Sequence, residues 1–589
     1  MQPILKPKRK TSLSYYLIGF LVFLVAVVSF IFSIKYSGEK NKEYPVLTYD
    51  AQLPIPDCDS KGGFYTEAFE IRLQTNNHNC KIYYTLDGTE PSLKSAVYGK
   101  PILIQNKTSS ANILSSIPTS PRWKPPVGDV FKGTVVRAIS VTDENKRSDE
   151  LIRTYFVDEK GSKRYSFPVV AITVNPDDLF GYKNGIYVLG KNYDDKNDYV
   201  KKDVKLDLPW WKYPSNYLKK GNNAERPAFI EFFESTNEPA FQSKVGLRIN
   251  GNATRGYAQK SLRVNFRTEY GSGTLNYKLF QTDSVTKFHS FILRNSGNDW
   301  DKTMFRDAFM QSLLTKSKLE IENNRPVIVF INGEYWGIHN ICERFDENYI
   351  SEKYKMSKDS IVILEMGGTV TFGKKKDADS FKNLLSFIKT NDLSKTSNYE
   401  NVAKAIDVEN FIDFVIANVY YCNSDWPNNN VKYWRYKTSA IGNDSLKARD
   451  GRWRWMLYDT DYGFGNTGTD AYKMNLIEKA RIMGSIGIIF SGLLNNKKFV
   501  NRFLEKFQYH LNTSFEATTV LHSLDEFEQM YSPEMRENIN RWRVIGSFET
   551  WKNNVQEMRE FATKRPAIQA EQLNEYFKLS GTSRISIKK

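Results

Sequence analysis

The stretch NSDWPNNN, residues 423–430, decides how the fold of this 589-residue chain is interpreted. It follows an apolar segment typical of a helix, and it places Asp425 and Asn430 five residues apart. A second stretch, YDTDYGFG, follows an aromatic segment typical of a strand and contributes two more acids, Asp459 and Asp461. Because a structural loop rarely needs acids and an amide in this order, the pattern indicates a site for a metal and phosphate groups.

Phosphoryl transfer uses side chains of these types in this order. We predict that Asp425 orients or deprotonates the acceptor and that Asn430 and Asp459 bind Mg²⁺, with Asp461 as a further residue of the metal site. Mg²⁺ prefers such hard oxygen ligands. The other motifs of protein kinases (G-x-G-x-x-G, V-A-I-K, H-R-D and A-P-E) are missing from the sequence, which excludes an ordinary protein kinase.

The composition indicates a globular protein of two or three domains, because one hydrophobic core does not extend over 589 residues. The net charge of +16 is distributed along the chain, which argues against a nucleic-acid partner. Cys58 and Cys80 lie close enough in sequence to form a disulfide in an oxidising compartment. The sequence has no C-x-x-C pair, so we expect no zinc site of that kind.

The N-terminus indicates a membrane anchor. Four basic residues precede LIGFLVFLVAVVSFIFSI, an uncharged stretch at 17–34 that is long enough to cross a bilayer with its flanking tyrosines. The basic residues predict a cytoplasmic tail at 1–14, an anchor at 15–36 and a large extracytoplasmic part that begins with a stalk at 37–59. We therefore predict a single-pass protein of the cell membrane. A cleaved signal peptide is the alternative, although the segment lacks a strong cleavage site.

Residues 60–158 contain short runs of alternating apolar and polar residues separated by turn residues, which predicts a small all-β sandwich. Within this region, YYTLDGTEPSLKSAVYGKPILI resembles the β-sandwich module at the C-terminus of chitobiase-type hexosaminidases. The resemblance implies a spacer, or a module that contacts cell-surface carbohydrate, and not a catalytic domain.

Residues 165–580 begin with strand patterns and end with helical patterns, which predicts an α+β domain of two lobes. The segment 325–344 is predicted to form a hairpin about Asn332-Gly333, the strongest short hairpin signal. The segment 407–421 has the apolar spacing of a buried helix, and Asp407 is its predicted N-cap. The asparagine-rich loop therefore lies between a helix and a strand of the second lobe.

Five separated stretches then match a known family in order: GNATRGYAQKSLRVNF, FILRNSGNDWDKTMFRDAFMQSLL, VFINGEYWGIHNICERFDENYI, NSDWPNNNVKYW and RWRWMLYDTDYGFG. Together they resemble the CotH family, the spore-coat protein H kinases with an atypical kinase-like fold. The resemblance covers about 165–577. It implies binding of ATP and Mg²⁺ and phosphorylation of serine or threonine on secreted or coat proteins. It assigns Asp425 to the catalytic loop, and Asn430 and Asp459 to the metal.

The resemblance also implies a lysine that contacts the phosphates. Lys260 is the candidate, with Arg255 in the loop that covers the nucleotide. The acid that orients Lys260 is either Asp307 on the first helix or Glu343 at a strand end, and the sequence does not decide between them. Arg294 and Asn295, at another strand end, are further candidates to line the cleft, and a structural role at the strand end is the alternative.

Two other functions remain open. A non-catalytic, pseudokinase-like surface or adhesion protein would keep the fold and use the β-module for carbohydrate contact. A glycoside hydrolase would use two of the acids on either side of a sugar, but that chemistry gives Asn430 no role. Nucleotide binding with Mg²⁺, measured together with phosphate transfer, separates these functions.

Overall fold

The computed structural model describes residues 45–200, 209–234, 238–281 and 285–587. It shows an all-β module followed by a larger domain that contains a closed barrel, a second sheet and a layer of helices. The predicted mixed α+β fold with an N-terminal β region is therefore confirmed. The predicted cytoplasmic tail at 1–14 lies outside the described residues.

The module is a small β-sandwich. Its central strand, β9 (Thr134–Thr142), pairs with β6 (Cys80–Thr85) and with β11 (Leu151–Val157). Shorter strands complete it: β1 (Thr48–Tyr49), β2 (Asp57–Cys58), β3 (Gly63–Tyr65), β4 (Phe69–Ile71), β5 (Leu73–Gln74), β7 (Ala96–Val97), β8 (Ile102–Ile104) and β10 (Lys146–Arg147). Because β1 pairs with β10, residues predicted to form a stalk contribute to the module.

The cysteines of the module are free in the structure. Cys58 is buried, and its Sγ lies 3.2 Å from the hydroxyl of Tyr155. The suggested disulfide between Cys58 and Cys80 is therefore not formed.

The connection between β8 and β9 leaves the module and packs on the larger domain. The backbone N–H groups of Ile113, Leu114 and Ser115 donate to the Glu334 carboxylate at 2.8, 2.9 and 2.8 Å. Glu334 is buried, so these three charge-assisted hydrogen bonds replace the water that the carboxylate has lost. This contact fixes the connection, and with it the module, to the barrel.

The barrel has seven strands and closes through the parallel pairing of its first strand with its last. Their order is β12 (Val169–Val174), β13 (Arg226–Phe233), β14 (Pro239–Ile249), β15 (Leu262–Asn265), β18 (Ser290–Arg294), β21 (Glu334–Cys342) and β20 (Asn324–Ile331). A separate pair, β16 (Leu275–Asn276) and β17 (Lys287–Phe288), lies between β15 and β18 in sequence. Strand β21 is buried along its whole length, as expected for a strand that is covered on both faces.

The predicted hairpin at 325–344 is confirmed as β20 and β21. Asn332 and Gly333 form its turn, with φ angles of 45° and 84°. Both angles lie in the left-handed region that this tight hairpin turn requires and that Asn-Gly adopts at low cost.

The second sheet has five strands in the order β19 (Glu320–Ile321), β25 (Arg454–Leu457), β24 (Lys432–Tyr436), β22 (Ile361–Glu365) and β23 (Thr369–Phe372). The predicted buried helix is confirmed as Val408–Tyr420, and the Asp407 carboxylate caps it by accepting a hydrogen bond from the Asn410 N–H at 3.1 Å. This helix leads directly into the asparagine-rich loop.

Helices form most of the rest of the chain. They are α1 (Pro176–Phe180), α2 (Gly190–Val200), α3 (Arg306–Ser312), α4 (Glu347–Tyr354), α5 (Asp379–Thr390), α6 (Thr396–Ala405), α7 (Val408–Tyr420), α8 (Ile477–Ile482), α9 (Gly484–Leu494), α10 (Lys497–Leu511), α11 (Ala517–Trp542) and α12 (Phe548–Tyr576). Helix α11 packs on β21, where the Asn538 side chain accepts a hydrogen bond from the Ile338 N–H at 3.0 Å.

The predicted membrane localisation needs correction. In the described part of the chain, no helix combines the length and the apolar character that crossing a bilayer requires. The two longest helices, α11 and α12, carry several charged side chains each. This finding contradicts the single-pass localisation and the membrane contact predicted from it. The proposed anchor at 15–36 itself lies outside the described residues.

A buried acid lies at another contact between the module and the barrel. Glu231 of β13 accepts hydrogen bonds from Thr154 of β11, at 2.5 Å from Oγ1 and at 3.2 Å from the backbone N. Burial raises the pKa of Glu231 to about 7. The folded protein therefore holds this proton at pH values where the unfolded chain releases it.

We expect Glu231 to make the protein less stable as the pH rises from about 4.5 to about 7, by about 3 kcal/mol in total, because its folded-state pKa is raised. Glu231→Gln keeps both hydrogen bonds without a titratable proton, so it should match the wild type at pH 5 and unfold at a higher temperature at pH 8. Thermal unfolding of both proteins across this range measures the difference. The exposed Glu70→Gln is the control, and identical profiles for Glu231→Gln and the wild type would refute the prediction.

Candidate active site

A cleft of about 700 Å³ lies between the barrel and the second sheet. The ends of β14, β18 and β21 form one side of it, and β22, β24 and the loops after α7 and β25 form the other. Four of the residues predicted from the sequence line this cleft together: Arg294, Asp425, Asn430 and Asp459.

Asp425 is held by amides of its own loop. Asn430 Nδ2 donates to Asp425 Oδ2 at 3.1 Å, and Asn429 Nδ2 donates to Asp425 Oδ1 at 2.7 Å. Trp426, the next residue, is fully buried and anchors the loop in the core. The Asp425 carboxylate is thus fixed in orientation but remains half-exposed, so a substrate hydroxyl can reach it.

Asn430 connects the two halves of the site. Its Nδ2 also donates to the backbone carbonyl of Asp459 at 3.0 Å, so both amide hydrogens are used within the protein. Asn430 and Asp459 both have left-handed φ angles, of 59° and 55°. Among the described residues, the Asn430 Oδ1 atom accepts no hydrogen bond. It is therefore available as an oxygen ligand.

Arg294 joins three acids beneath the cleft. Its Nη2 lies 2.5 Å from Asp459 Oδ1 and 2.7 Å from Asp461 Oδ2, and its Nε lies 3.5 Å from Asp307 Oδ2. Burial opposes the charge of Arg294, but the three carboxylates hold its pKa well above the ordinary value. The guanidinium thus connects strand β18 to helix α3 and to the loop after β25.

Asp307, one of the two acids predicted to orient Lys260, lies on α3. Its Oδ1 accepts hydrogen bonds from Thr460, at 2.9 Å from the backbone N and at 2.6 Å from Oγ1. The cation that Asp307 faces is Arg294, and not Lys260.

Asp461 is not among the residues that line the cleft, and it is almost fully buried. Its two oxygens accept hydrogen bonds from Asn298, at 2.9 Å from the backbone N and at 3.1 Å from Nδ2. Burial and the nearby Asp459 raise the pKa of Asp461 to about 8, although Arg294 acts against this shift. These contacts indicate that Asp461 positions Asn298, which lines the cleft, and that the Asp461 carboxyl group is not presented to a metal.

Lys260 and Arg255 lie behind the loop that covers the cleft. Lys260 is fully buried, and its Nζ donates to the backbone carbonyls of Arg255 and Tyr257, both at 2.7 Å. The Arg255 guanidinium donates to the carbonyls of Tyr217, Ile249 and Lys219. Both side chains therefore stabilise the loop 250–254, which lines the cleft, and neither of them faces the cleft.

Glu343 is the other acid predicted to orient the lysine. Its Oε2 accepts hydrogen bonds from Asn323, at 3.0 Å from the backbone N and at 3.1 Å from Nδ2. These contacts connect the end of β21 to the start of β20, and the structure does not bring Glu343 to Lys260.

Among the described residues, four acids that line the cleft are missing from the sequence-based prediction: Glu322, Asp346, Glu347 and Glu365. Glu322 lines the cleft and is almost completely buried, and burial together with Asp307 raises its pKa well above the ordinary value. The cations that line the cleft are Arg294, Arg344 and Lys432. The sequence offers no signal for Glu322, because the acid belongs to no recognisable motif.

The site is better suited to Mg²⁺ than to a metal ion whose ligands all come from the protein. Within the described residues, no group of three or more histidines, cysteines or acids could hold a metal ion. Mg²⁺ needs fewer protein ligands, because it keeps several waters and binds through one or two carboxylates together with substrate phosphates. The free oxygen of Asn430 and the Asp459 carboxylate fit this requirement.

The structure predicts different roles for the two acids of YDTDYG. Asp461→Asn should place an amide donor against the donors of Asn298 and Arg294, and it should cost about 1–3 kcal/mol of folding free energy. The Mg²⁺ concentration needed for half-maximal nucleotide binding should stay the same. Chemical denaturation measures the first effect and calorimetry at several Mg²⁺ concentrations the second. A changed Mg²⁺ requirement with unchanged stability would contradict this role.

Comparison with known proteins agrees with this geometry. A family model described as CotH kinase protein matches residues 247–568, which is more than half of the chain, and one described as Fn3 associated matches residues 71–155. A search of curated proteins finds no match. The first match includes the asparagine-rich loop and all of the acids around Arg294, and the second falls on the β-sandwich. The chain therefore belongs to the CotH kinase protein family and carries an N-terminal Fn3-associated β module.

Proposed function

We propose that this chain transfers the γ-phosphate of ATP to a serine or threonine hydroxyl of a protein, in a reaction that depends on Mg²⁺. The observation that carries the proposal is the position of Asp425, Asn430 and Asp459 around one cleft, with hydrogen bonds from Asn430 to the Asp425 carboxylate and to the Asp459 backbone carbonyl. A carboxylate for the acceptor beside an oxygen pair for a metal is the minimum that phosphoryl transfer requires.

The cleft offers suitable contacts for a nucleotide. Apolar side chains line part of it and can pack against a purine ring: Ile292, Phe345, Ile363, Met366 and Phe372. Arg344 and Lys432 also face the cleft and can bind phosphate oxygens. The loop 250–254, which Lys260 and Arg255 support from behind, can cover the phosphates.

In the proposed reaction, the acceptor hydroxyl lies beside Asp425. The carboxylate accepts the proton while the hydroxyl oxygen attacks the γ-phosphorus. A new oxygen–phosphorus bond forms as the bond between the γ-phosphorus and the bridging oxygen breaks, and ADP leaves with that electron pair. Asn429 and Asn430 keep the carboxylate in one orientation throughout.

Asn430 and Asp459 would hold Mg²⁺, which when bound neutralises charge on the phosphates. The local charge supports this assignment. Arg294 contacts Asp307, Asp459 and Asp461, and although the raised pKa of Asp461 keeps that group largely protonated near neutral pH, one positive charge still faces two carboxylates. The remaining negative potential favours a cation at this end of the cleft.

Asp425→Asn tests the catalytic loop. The substitution keeps the size of the side chain but removes the proton acceptor, so phosphate transfer should fall by about 10²–10⁴-fold while the affinity for Mg²⁺ and ATP changes little. Transfer of labelled phosphate and calorimetric titration of nucleotide measure the two effects. Asp359→Asn, at an exposed position of the same lobe, is the matched control. Unchanged transfer in Asp425→Asn would refute the proposed role.

Asp459→Asn should behave differently, because it removes a charged ligand of the metal. Nucleotide affinity and phosphate transfer should both fall, and excess Mg²⁺ should restore part of each. The same two assays, repeated over a range of Mg²⁺ concentrations, show the difference from Asp425→Asn. If both variants lost only thermal stability, to the same extent, the two acids would be structural, and a pseudokinase-like protein would explain the fold better.

A further inference from the structure

A second pocket, of about 650 Å³, opens beside the cleft and is lined by aromatic side chains. It shares Ala253, Asn298 and Tyr462 with the cleft, so the two spaces are adjacent. Five tryptophans line it: Trp123, Trp210, Trp211, Trp300 and Trp542. We call it the aromatic pocket.

Separate parts of the chain build the aromatic pocket. One wall, residues 120–124, belongs to the connection that leaves the β-module, and another belongs to the end of α11. The Ser120 hydroxyl donates to the Gly256 carbonyl at 2.7 Å, and the Val127 N–H donates to the Asn540 carbonyl at 2.9 Å. The β-module is thus more than a spacer, because it supplies a wall of a pocket on the kinase domain.

The aromatic rings are ordered before any ligand binds. Tyr257 stacks on Trp210 and on Trp300, with ring centroids 6.1 and 5.4 Å apart and 20° between the planes in each pair. The Arg122 guanidinium lies 4.4 Å from the centre of the Trp210 ring.

The charge at the rim indicates which ligand fits. Arg122, Lys124 and Arg543 are exposed cations of the pocket lining, and Asp301 is the exposed acid among them. Aromatic walls bind an aromatic or apolar side chain, and an excess of positive charge favours carboxylates next to it. Tyr462, which lines both spaces, lies three residues after Asp459 and connects the pocket to the site of phosphate transfer.

We propose that the aromatic pocket binds the acceptor protein through a segment in which acidic residues flank an aromatic side chain, beside the serine or threonine that reaches Asp425. This proposal rests on the proposed phosphate transfer for its biological role. The binding itself does not require ATP, so it can be tested separately.

Three synthetic serine peptides serve as probes: one with phenylalanine between glutamates, one with phenylalanine between lysines, and one with alanine between glutamates. Fluorescence of the tryptophans in the pocket reports binding without nucleotide. We expect the first peptide to bind about tenfold more tightly than the other two. Arg122→Glu and Trp123→Ala should each weaken its binding about tenfold, whereas Lys100→Glu, at an exposed position of the module, should have no effect.

Phosphate transfer to the same peptide provides the second readout. In Arg122→Glu and Trp123→Ala, KM for the peptide should rise with little change in kcat or in nucleotide affinity. Selective peptide binding without phosphate transfer would refute the proposed function and support the pocket. Equal binding of all three peptides, no effect of the two substitutions, or displacement of the first peptide by an N-acetylglucosamine tetramer would overturn the pocket proposal.

Discussion

The candidate site depends on one interaction, the contact of the Arg294 guanidinium with the carboxylates of Asp307, Asp459 and Asp461. These four residues come from a barrel strand, a helix and the loop after the second sheet. Burying any one of the charges alone would cost several kcal/mol, so the network forms only when the segments meet in this arrangement. The same network leaves an excess of negative charge beside the cleft. The interaction that positions Asp459 therefore also makes the site attractive to a cation.

The parts of the site that were predicted from the sequence are those that short-range patterns determine. Asp425 and Asn430 lie within one turn-rich loop, and Asp459 follows the strand that pairs next to it, so the order of the residues is sufficient to bring them together. The hairpin turn at Asn332 and the helix cap at Asp407 are local in the same way. Glu322 was not predicted, because it reaches the cleft only through the parallel pairing of β19 with β25, more than a hundred residues later in the chain.

The basic residues show where sequence patterns mislead. Lys260 lies just before strand β15 of the barrel. From this position in the sequence, its side chain could lie either in the cleft or behind the loop 250–254. The structure shows that the Lys260 Nζ lies 4.0 Å from the centre of the Tyr217 ring. It also shows that this Nζ donates its hydrogen bonds to two backbone carbonyls. Burial then lowers the pKa of Lys260 well below the ordinary value. A lysine that is enclosed in this way and has a lowered pKa is suited to stabilise the loop 250–254 and not to bind phosphate.

Strand β21 connects the two ends of the molecule. At its first residue, the Glu334 carboxylate binds the connection from the β-module, and at its last residue, Cys342 lines the cleft. Between them, α11 binds the strand through Asn538 and then ends at Trp542 in the aromatic pocket. Because the strand is buried along its whole length, it cannot shift at one end without repacking the other. Nine residues of one buried strand therefore contact the connection from the module, the cleft and the helix that ends at the aromatic pocket.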